Sequence, residues 1–175
     1  MLQPTTRWYW YCDNQHLMLS LHKNLQFKTA FNLRCLLNTP NCKQGFSLID
    51  TERYVCLAEQ LQSSHLKVNG AQLTQILINA TAALAFHKPI TLRSWYFAHQ
   101  NNAGSIRQLA SLENDAGKGT VLILEQTLEV ATCMVVSPHL MLHANKQLRQ
   151  FELIKVMKNR LIPYIEQTKH FSQSA

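Results

Sequence analysis

Acidic side chains are the scarcest chemistry in this sequence. Ten Asp and Glu stand against 17 Lys and Arg, a formal charge of +7 at pH 7, and none lies between Asp13 and Asp50 or between Glu59 and Glu113. That imbalance favours an acidic partner, whether protein, nucleic acid or membrane surface. Glycine is scarce too, 5 in 175 residues. Neither G-x-x-x-x-G-K-[ST] nor G-x-G-x-x-G occurs, so no phosphate-cradling loop and no cofactor are expected. No apolar run approaches the roughly 18–20 residues of a membrane helix. Residues 1–7 lack the apolar core of a secretory signal, which predicts a cytoplasmic protein. The 5 cysteines, Cys12, Cys35, Cys42, Cys56 and Cys133, are odd in number and contain no C-x-x-C pair. Reduced, packed thiols are expected in place of disulfides or a zinc site.

Catalytic signatures are equally sparse. His139 and His143 are four apart, a ligand spacing on a helix, but the alternation of Leu140 and Leu142 between them reads as strand. The carboxylates are scattered and no Cys–His pairing is marked locally, so no catalytic or metal-binding residue is assigned.

What is present is a folded composition, 46% hydrophobic and 15% charged, long enough for one domain or two small ones. The chain is organised around residues 69–97. Leu73, Ile76, Leu77, Ala80, Leu84 and Phe86 recur at three- and four-residue steps, one apolar stripe of a helix. Asn69 and Gln72 form a capping-box pattern at its start, and Pro89 ends it while steering Lys88 away from helical backbone. Beyond that stop, Leu92, Trp95 and Phe97 predict a strand, and Lys88 and Arg93 bring positive charge to the junction.

Upstream, residues 8–12, 16–21 and 25–29 alternate as a three-stranded antiparallel meander, with turn residues at Asp13-Asn14 and Lys23-Asn24. Trp8 and Trp10 read as core of this sheet. Residues 30–37 fit either a short helix or an irregular crossing. Asp50 predicts the N-cap of a helix reaching Ser63, with Tyr54, Val55, Leu57, Ala58 and Leu61 on its apolar face.

Downstream, strands at 92–98, 105–112, 120–125, 130–136 and 139–143 are predicted, separated by an Asn-rich turn and by the glycine-bearing turn 113–119. Such spacing suggests a small barrel or a strongly curled sheet. A helix over 151–161, burying Leu153, Ile154, Met157 and Leu161, closes the chain before Pro163, and residues 168–175 form a frayed tail. The expected architecture is α+β: an N-terminal antiparallel sheet with helices over 1–89, then a small β-barrel-like domain closed by a helix over 90–175.

Three stretches in this order resemble one family. They are Trp8-Tyr9-Trp10-Tyr11-Cys12-Asp13 with Leu17-Met18-Leu19-Ser20-Leu21, then His87-Lys88-Pro89 with Arg93-Ser94-Trp95-Tyr96-Phe97, then Ile154-Lys155-Val156-Met157-Lys158-Asn159-Arg160-Leu161-Ile162-Pro163. Together they resemble the ZapC family of Z-ring-associated bacterial cell division proteins, from Trp8 to Pro163 apart from residues 100–118. The resemblance implies a non-enzymatic cytoplasmic protein that binds the tubulin-like GTPase FtsZ at midcell and bundles its filaments laterally. It also implies partner contact through a basic surface at Lys88, Arg93 and Arg160, with a hydrophobic site near Leu19 as a second candidate. Bundling requires two filament-facing surfaces, and the absence of a heptad seam favours a monomer that carries both. The rival reading is a small basic nucleic-acid-binding module, which would need aromatics and cations together on one exposed face.

Overall fold

The computed structural model describes residues 1–40, 42–64, 66–100 and 106–164. The meander forms as β1 (Tyr9–Asp13), β2 (His16–His22) and β3 (Leu25–Asn32), all antiparallel. A tight turn at Asn14 and Gln15, both with positive φ, closes the first hairpin with the twist that two-residue connections require. A short fourth strand, β4 (Lys43–Gly45), joins β1, giving the order β3-β2-β1-β4. Trp8, Trp10, Leu17, Leu19 and Leu21 are buried on the inner face. The ambiguous stretch after residue 30 extends β3 to Asn32 and then makes one 3-10 turn, Leu33–Cys35, in which the Asn32 side chain accepts from Arg34 N–H.

Two helices cover that inner face. In α1 (Leu48–Gln62) the N-cap is Ser47, and Asp50 is its capping-box partner three residues on. Asp50 was expected at the cap itself. The shift follows from its second bond, because its carboxylate also accepts from Trp10 Nε1 at 3.3 Å and is thereby held in the core. Tyr54, Leu57, Ala58 and Leu61 are buried as expected, whereas Val55 faces outward.

The organising helix is α2 (Gly70–Phe86), capped by Asn69 and Gln72 as the sequence predicts. Its burial exceeds a single stripe: every residue from Ile76 to Ala83 is buried. A helix apolar on all sides must be covered on all sides. The sheet and α1 cover part of it, and Leu109, Leu122, Met134 and Val136 from the second half of the chain complete the same core. One polar residue in its middle is fully satisfied. Asn79 Oδ1 accepts from Ala30 N–H on the edge of β3 at 2.8 Å, and its amide donates to the Gln75 carbonyl at 2.9 Å.

The second half holds β5 (Leu109–Asn114), β6 (Gly117–Gln126), β7 (Val130–Val135), β8 (His139–His143), β9 (Lys146–Arg149), β10 (Leu153–Met157) and β11 (Ile162–Pro163). Five of these form an antiparallel sheet in the order β10-β7-β6-β5-β11, and β8 and β9 form a separate hairpin. A second core of Phe97, Val121, Ile123, Val135, Leu140, Ile154 and Val156 lies between them. Gly119 permits their approach, since a Cβ there would meet Leu140 Cδ1 at 2.8 Å.

Four expectations for this half are corrected. Among the described residues no sheet closes into a barrel. The predicted closing helix at 151–161 is strand β10 followed by a 3-10 turn, Lys158–Arg160. Its Leu153, Ile154, Met157 and Leu161 fit a helical stripe, but Ile154 and Val156 also alternate, and pairing with β7 supplies hydrogen bonds that a surface helix could not give that sheet. The predicted strand at 92–98 makes no ladder with β10 beyond a single parallel bridge between Leu92 and Lys155, then turns as a 3-10 segment, Ser94–Tyr96. The predicted strand at 105–112 begins at Leu109. The Asn-rich turn lies largely, and the frayed tail wholly, outside the described residues.

Asp50 ties the capping box to the buried indole, so Asp50→Ala removes two sets of bonds at once. A loss of about 2–3 kcal/mol is expected, the sum of a cap and a buried charge-assisted hydrogen bond. Urea unfolding followed by tryptophan fluorescence measures it, and Asp50→Asn should lose less.

Candidate functional site

The chain leaves α2 at His87 under tight control. His87 N–H donates to the Ala83 carbonyl at 3.1 Å, Lys88 N–H to the Cys35 carbonyl at 2.9 Å, and Leu37 N–H to the Phe86 carbonyl at 2.8 Å. Lys88 is therefore presented from a fixed backbone with its side chain exposed. The His87 ring packs edge-on to Phe31, and burial pushes its pKa below the ordinary value.

The segment that follows is laced to β10 and the turn after it. Arg93 N–H donates to the Lys155 carbonyl at 2.8 Å, Met157 N–H to Ser94 Oγ at 2.7 Å, and Gln100 N–H to the Asn159 carbonyl at 2.7 Å. Arg160 completes the lacing by donating from Nη1 to the Phe97 carbonyl at 3.2 Å. Its Nε is buried and without a hydrogen-bond partner. A guanidinium so placed is a structural tie as well as a charge.

These ties set the Arg93 backbone against Lys155 of β10 and put Arg160 in the turn that follows. Lys155 is a cation that the sequence reading did not single out. It lines one groove with Lys88, Pro89, Leu124, Glu125 and Thr132. The groove encloses ≈ 170 Å³, too little for the roughly 300–1,000 Å³ of a typical small-molecule site. Among the described residues none of the four cations has an ion-pair partner, Glu125 included. Leu19 stands apart. It is 0% exposed, opposite Trp10 and Phe27 in the inner sheet face, and presents no surface.

Sequence reasoning missed the aromatic members of this face. Trp95 is 70% exposed, whereas Trp8 and Trp10 are 3% and 0% exposed. Beside it, the Tyr96 ring lies 5.5 Å away, and Lys146 from β9 donates to the Tyr96 hydroxyl at 3.1 Å. That bond is the main cause of a lowered Tyr96 pKa, to which the charges of Lys146 and Arg93 add. Alternating aromatics read as a strand with a buried face, and nothing local signals the 3-10 turn that puts Trp95 outside. For Lys155 a signal existed, the alternation of Ile154 and Val156.

Nucleophile chemistry finds little support. Burial pushes the Cys133 thiol up to about 12 and also raises Cys12, so neither supplies a thiolate near neutral pH. Among the described residues no three His, Cys, Asp or Glu side chains converge as a metal site. No described helix is long and apolar enough to cross a membrane.

Fold and surface thus define an α+β protein with an exposed Lys88, half-buried Arg93, Lys155 and Arg160, and an exposed Trp95. The family profiles "Cell-division protein ZapC, N-terminal" and "Cell-division protein ZapC, C-terminal" match residues 1–88 and 89–167. The chain belongs to the ZapC family of cell-division proteins. It is 47% identical to the cell division protein ZapC of Pseudoalteromonas atlantica over 167 residues, 93% of this chain and 94% of that one. It is 33% identical to that of Pseudoalteromonas translucida over 97% of this chain and 98% of that one, and 34% identical to that of Aliivibrio salmonicida over 92% of each. Membership gives the chain a role in cell division.

Two measurements test this geometry. Arg160→Ala should free residues 92–100, seen as faster amide exchange there, and should lower stability by about 1 kcal/mol, the worth of one hydrogen bond. Lys88→Ala should change neither. The lowered pKa of His87 also sets a pH dependence. The unfolded chain takes up its proton first, near 6.5. The contribution of His87 is therefore full above that pH and is lost as pH falls through the folded value. Urea midpoints between pH 7.5 and 5 should show a shallower decline in His87→Gln.

Proposed function

We propose that this protein binds filaments of the tubulin-like GTPase FtsZ through the cationic face at Lys88, Arg93 and Arg160, and bundles them laterally at midcell. The observation that supports the proposal is that Lys88 lines a groove with Lys155 while Arg93 and Arg160 tie the neighbouring segment to β10 and the turn after it, none with an ion-pair partner among the described residues. Unneutralised positive charge held at fixed positions speeds encounter with an acidic polymer and weakens as salt rises. FtsZ is a cytoplasmic polymer, so the protein works there without an enzymatic step, cofactor or metal. Leu19 contributes by holding the hairpin in shape.

Bundling needs a second surface, and the outer face of the first sheet supplies one. Tyr9, Tyr11, Met18, Lys28 and Lys43 share that face, with Lys43 Nζ 4.9 Å from the Tyr9 ring centroid. One monomer then carries both surfaces, the cationic one where units 1–89 and 90–175 join and the other on the sheet of unit 1–89. The same tyrosines and lysines also favour the second reading, single-stranded nucleic acid, through stacking and charge.

Co-sedimentation with GTP-assembled FtsZ is the test. Wild type should enter the pellet, and the folded double variant Lys88→Glu with Arg93→Glu should bind at least about tenfold more weakly, as charge reversal at an interface predicts. Lys28→Glu with Lys43→Glu should still pellet but lose the rise in light scattering that marks bundling. Wild type that fails to pellet, yet retards single-stranded oligonucleotides in a gel at physiological salt, would transfer the function to the second reading.

A further inference from the structure

Trp95 is the anomaly of this molecule. A tryptophan that is 70% exposed wastes a large apolar area on water, and its backbone is not loose. Arg93 N–H and Ser94 Oγ hold the turn before it to β10, Phe97 after it is buried in the second core, and Arg160 holds the Phe97 carbonyl. The indole is therefore kept outside by a rigid frame. A ring fixed in this way loses little conformational freedom when a partner covers it.

Its surroundings specify the partner's chemistry. Tyr96 extends the aromatic surface, and Lys146 lies 5.4 Å from its ring centroid while bonding its hydroxyl. Arg93, two residues before Trp95, adds its charge to the field at Tyr96. Neither Arg93 nor Lys146 has an ion-pair partner among the described residues. An apolar platform with two cations near it, neither in an ion pair among the described residues, matches a peptide segment that alternates apolar and acidic side chains. Tryptophan, tyrosine and arginine are also the residues in which interface energy concentrates.

We propose that Trp95, with Tyr96, Arg93 and Lys146, is the anchor for an acidic segment of the protein partner, an apolar side chain lying on the indole while its carboxylates meet the two cations. The inference rests on the reading of this face as the partner-binding surface. It divides the labour on that face: lysine and arginine set encounter and salt dependence, and the indole sets residence time.

Two experiments separate the parts. In FtsZ co-sedimentation, Trp95→Ala should weaken binding at least about tenfold, a hot-spot effect, without reducing the salt slope that Lys88→Glu reduces. Trp95→Phe should recover part of the loss. The exposed indole adds little to stability, so an unchanged urea midpoint certifies the fold. Independently of FtsZ, iodide quenching reports Trp95, because the other two tryptophans are buried. A capped hexapeptide of alternating glutamate and phenylalanine should protect Trp95 from iodide, and one of alternating glutamate and serine should not. If wild type fails to bind FtsZ while the first peptide protects, the anchor stands and the named partner falls. Full binding to FtsZ by folded Trp95→Ala, or equal protection by both peptides, overturns the anchor.

Discussion

The structure depends on one constraint, that α2 is too apolar to show water any side. A helix buried from Ile76 through Ala83 cannot rest on a single sheet as an ordinary amphipathic helix does. The first sheet and α1 cover it only in part, and Leu122 and Met134 of the second sheet complete the enclosure. That shared core fixes where α2 lies, and Pro89 fixes where it ends. The end of α2, in turn, fixes Lys88, the groove beside it and the segment that crosses β10. The cationic face is thus a consequence of how a hydrophobic helix finds cover.

Local chemistry was legible where local bonds decide the outcome. The Asn69 capping box, the Pro89 stop, the first meander and the buried Trp8 and Trp10 all follow from side chains within a few residues of one another. Residues 151–161 were illegible for the opposite reason. Leu153, Ile154, Met157 and Leu161 satisfy a helical period, Ile154 and Val156 satisfy a strand period, and only the vacant edge of β7 decides between them. Asp50 was misplaced by three residues because its second partner, Trp10 Nε1, comes from a strand 40 positions away.

The face shows the same division. Lys88 and Arg93 were visible within an acid-free stretch. Its geometry was not visible, because it is made by main-chain bonds between residues 92–100 and 155–160 that no pattern within either segment encodes. Lys155 and Lys146 enter only once β10 and β9 are placed. Trp95 reads as strand in the sequence because aromatic alternation and aromatic display look alike until the backbone turns.

The edges of both sheets have a consequence for a protein proposed to work among polymers. Open strand edges recruit further strands, and a bundling factor with sticky edges would assemble with itself. Here β3 gives up its Ala30 N–H to the buried Asn79 amide and carries Lys28. The opposite edge, β4, is three residues long and lysine-bearing. In the second sheet β11 is two residues long and ends on Pro163, and β10 is met by Leu92 and Arg93. Each edge is blunted by a different device. Neither of the two larger sheets offers a long open strand to a second copy of the chain.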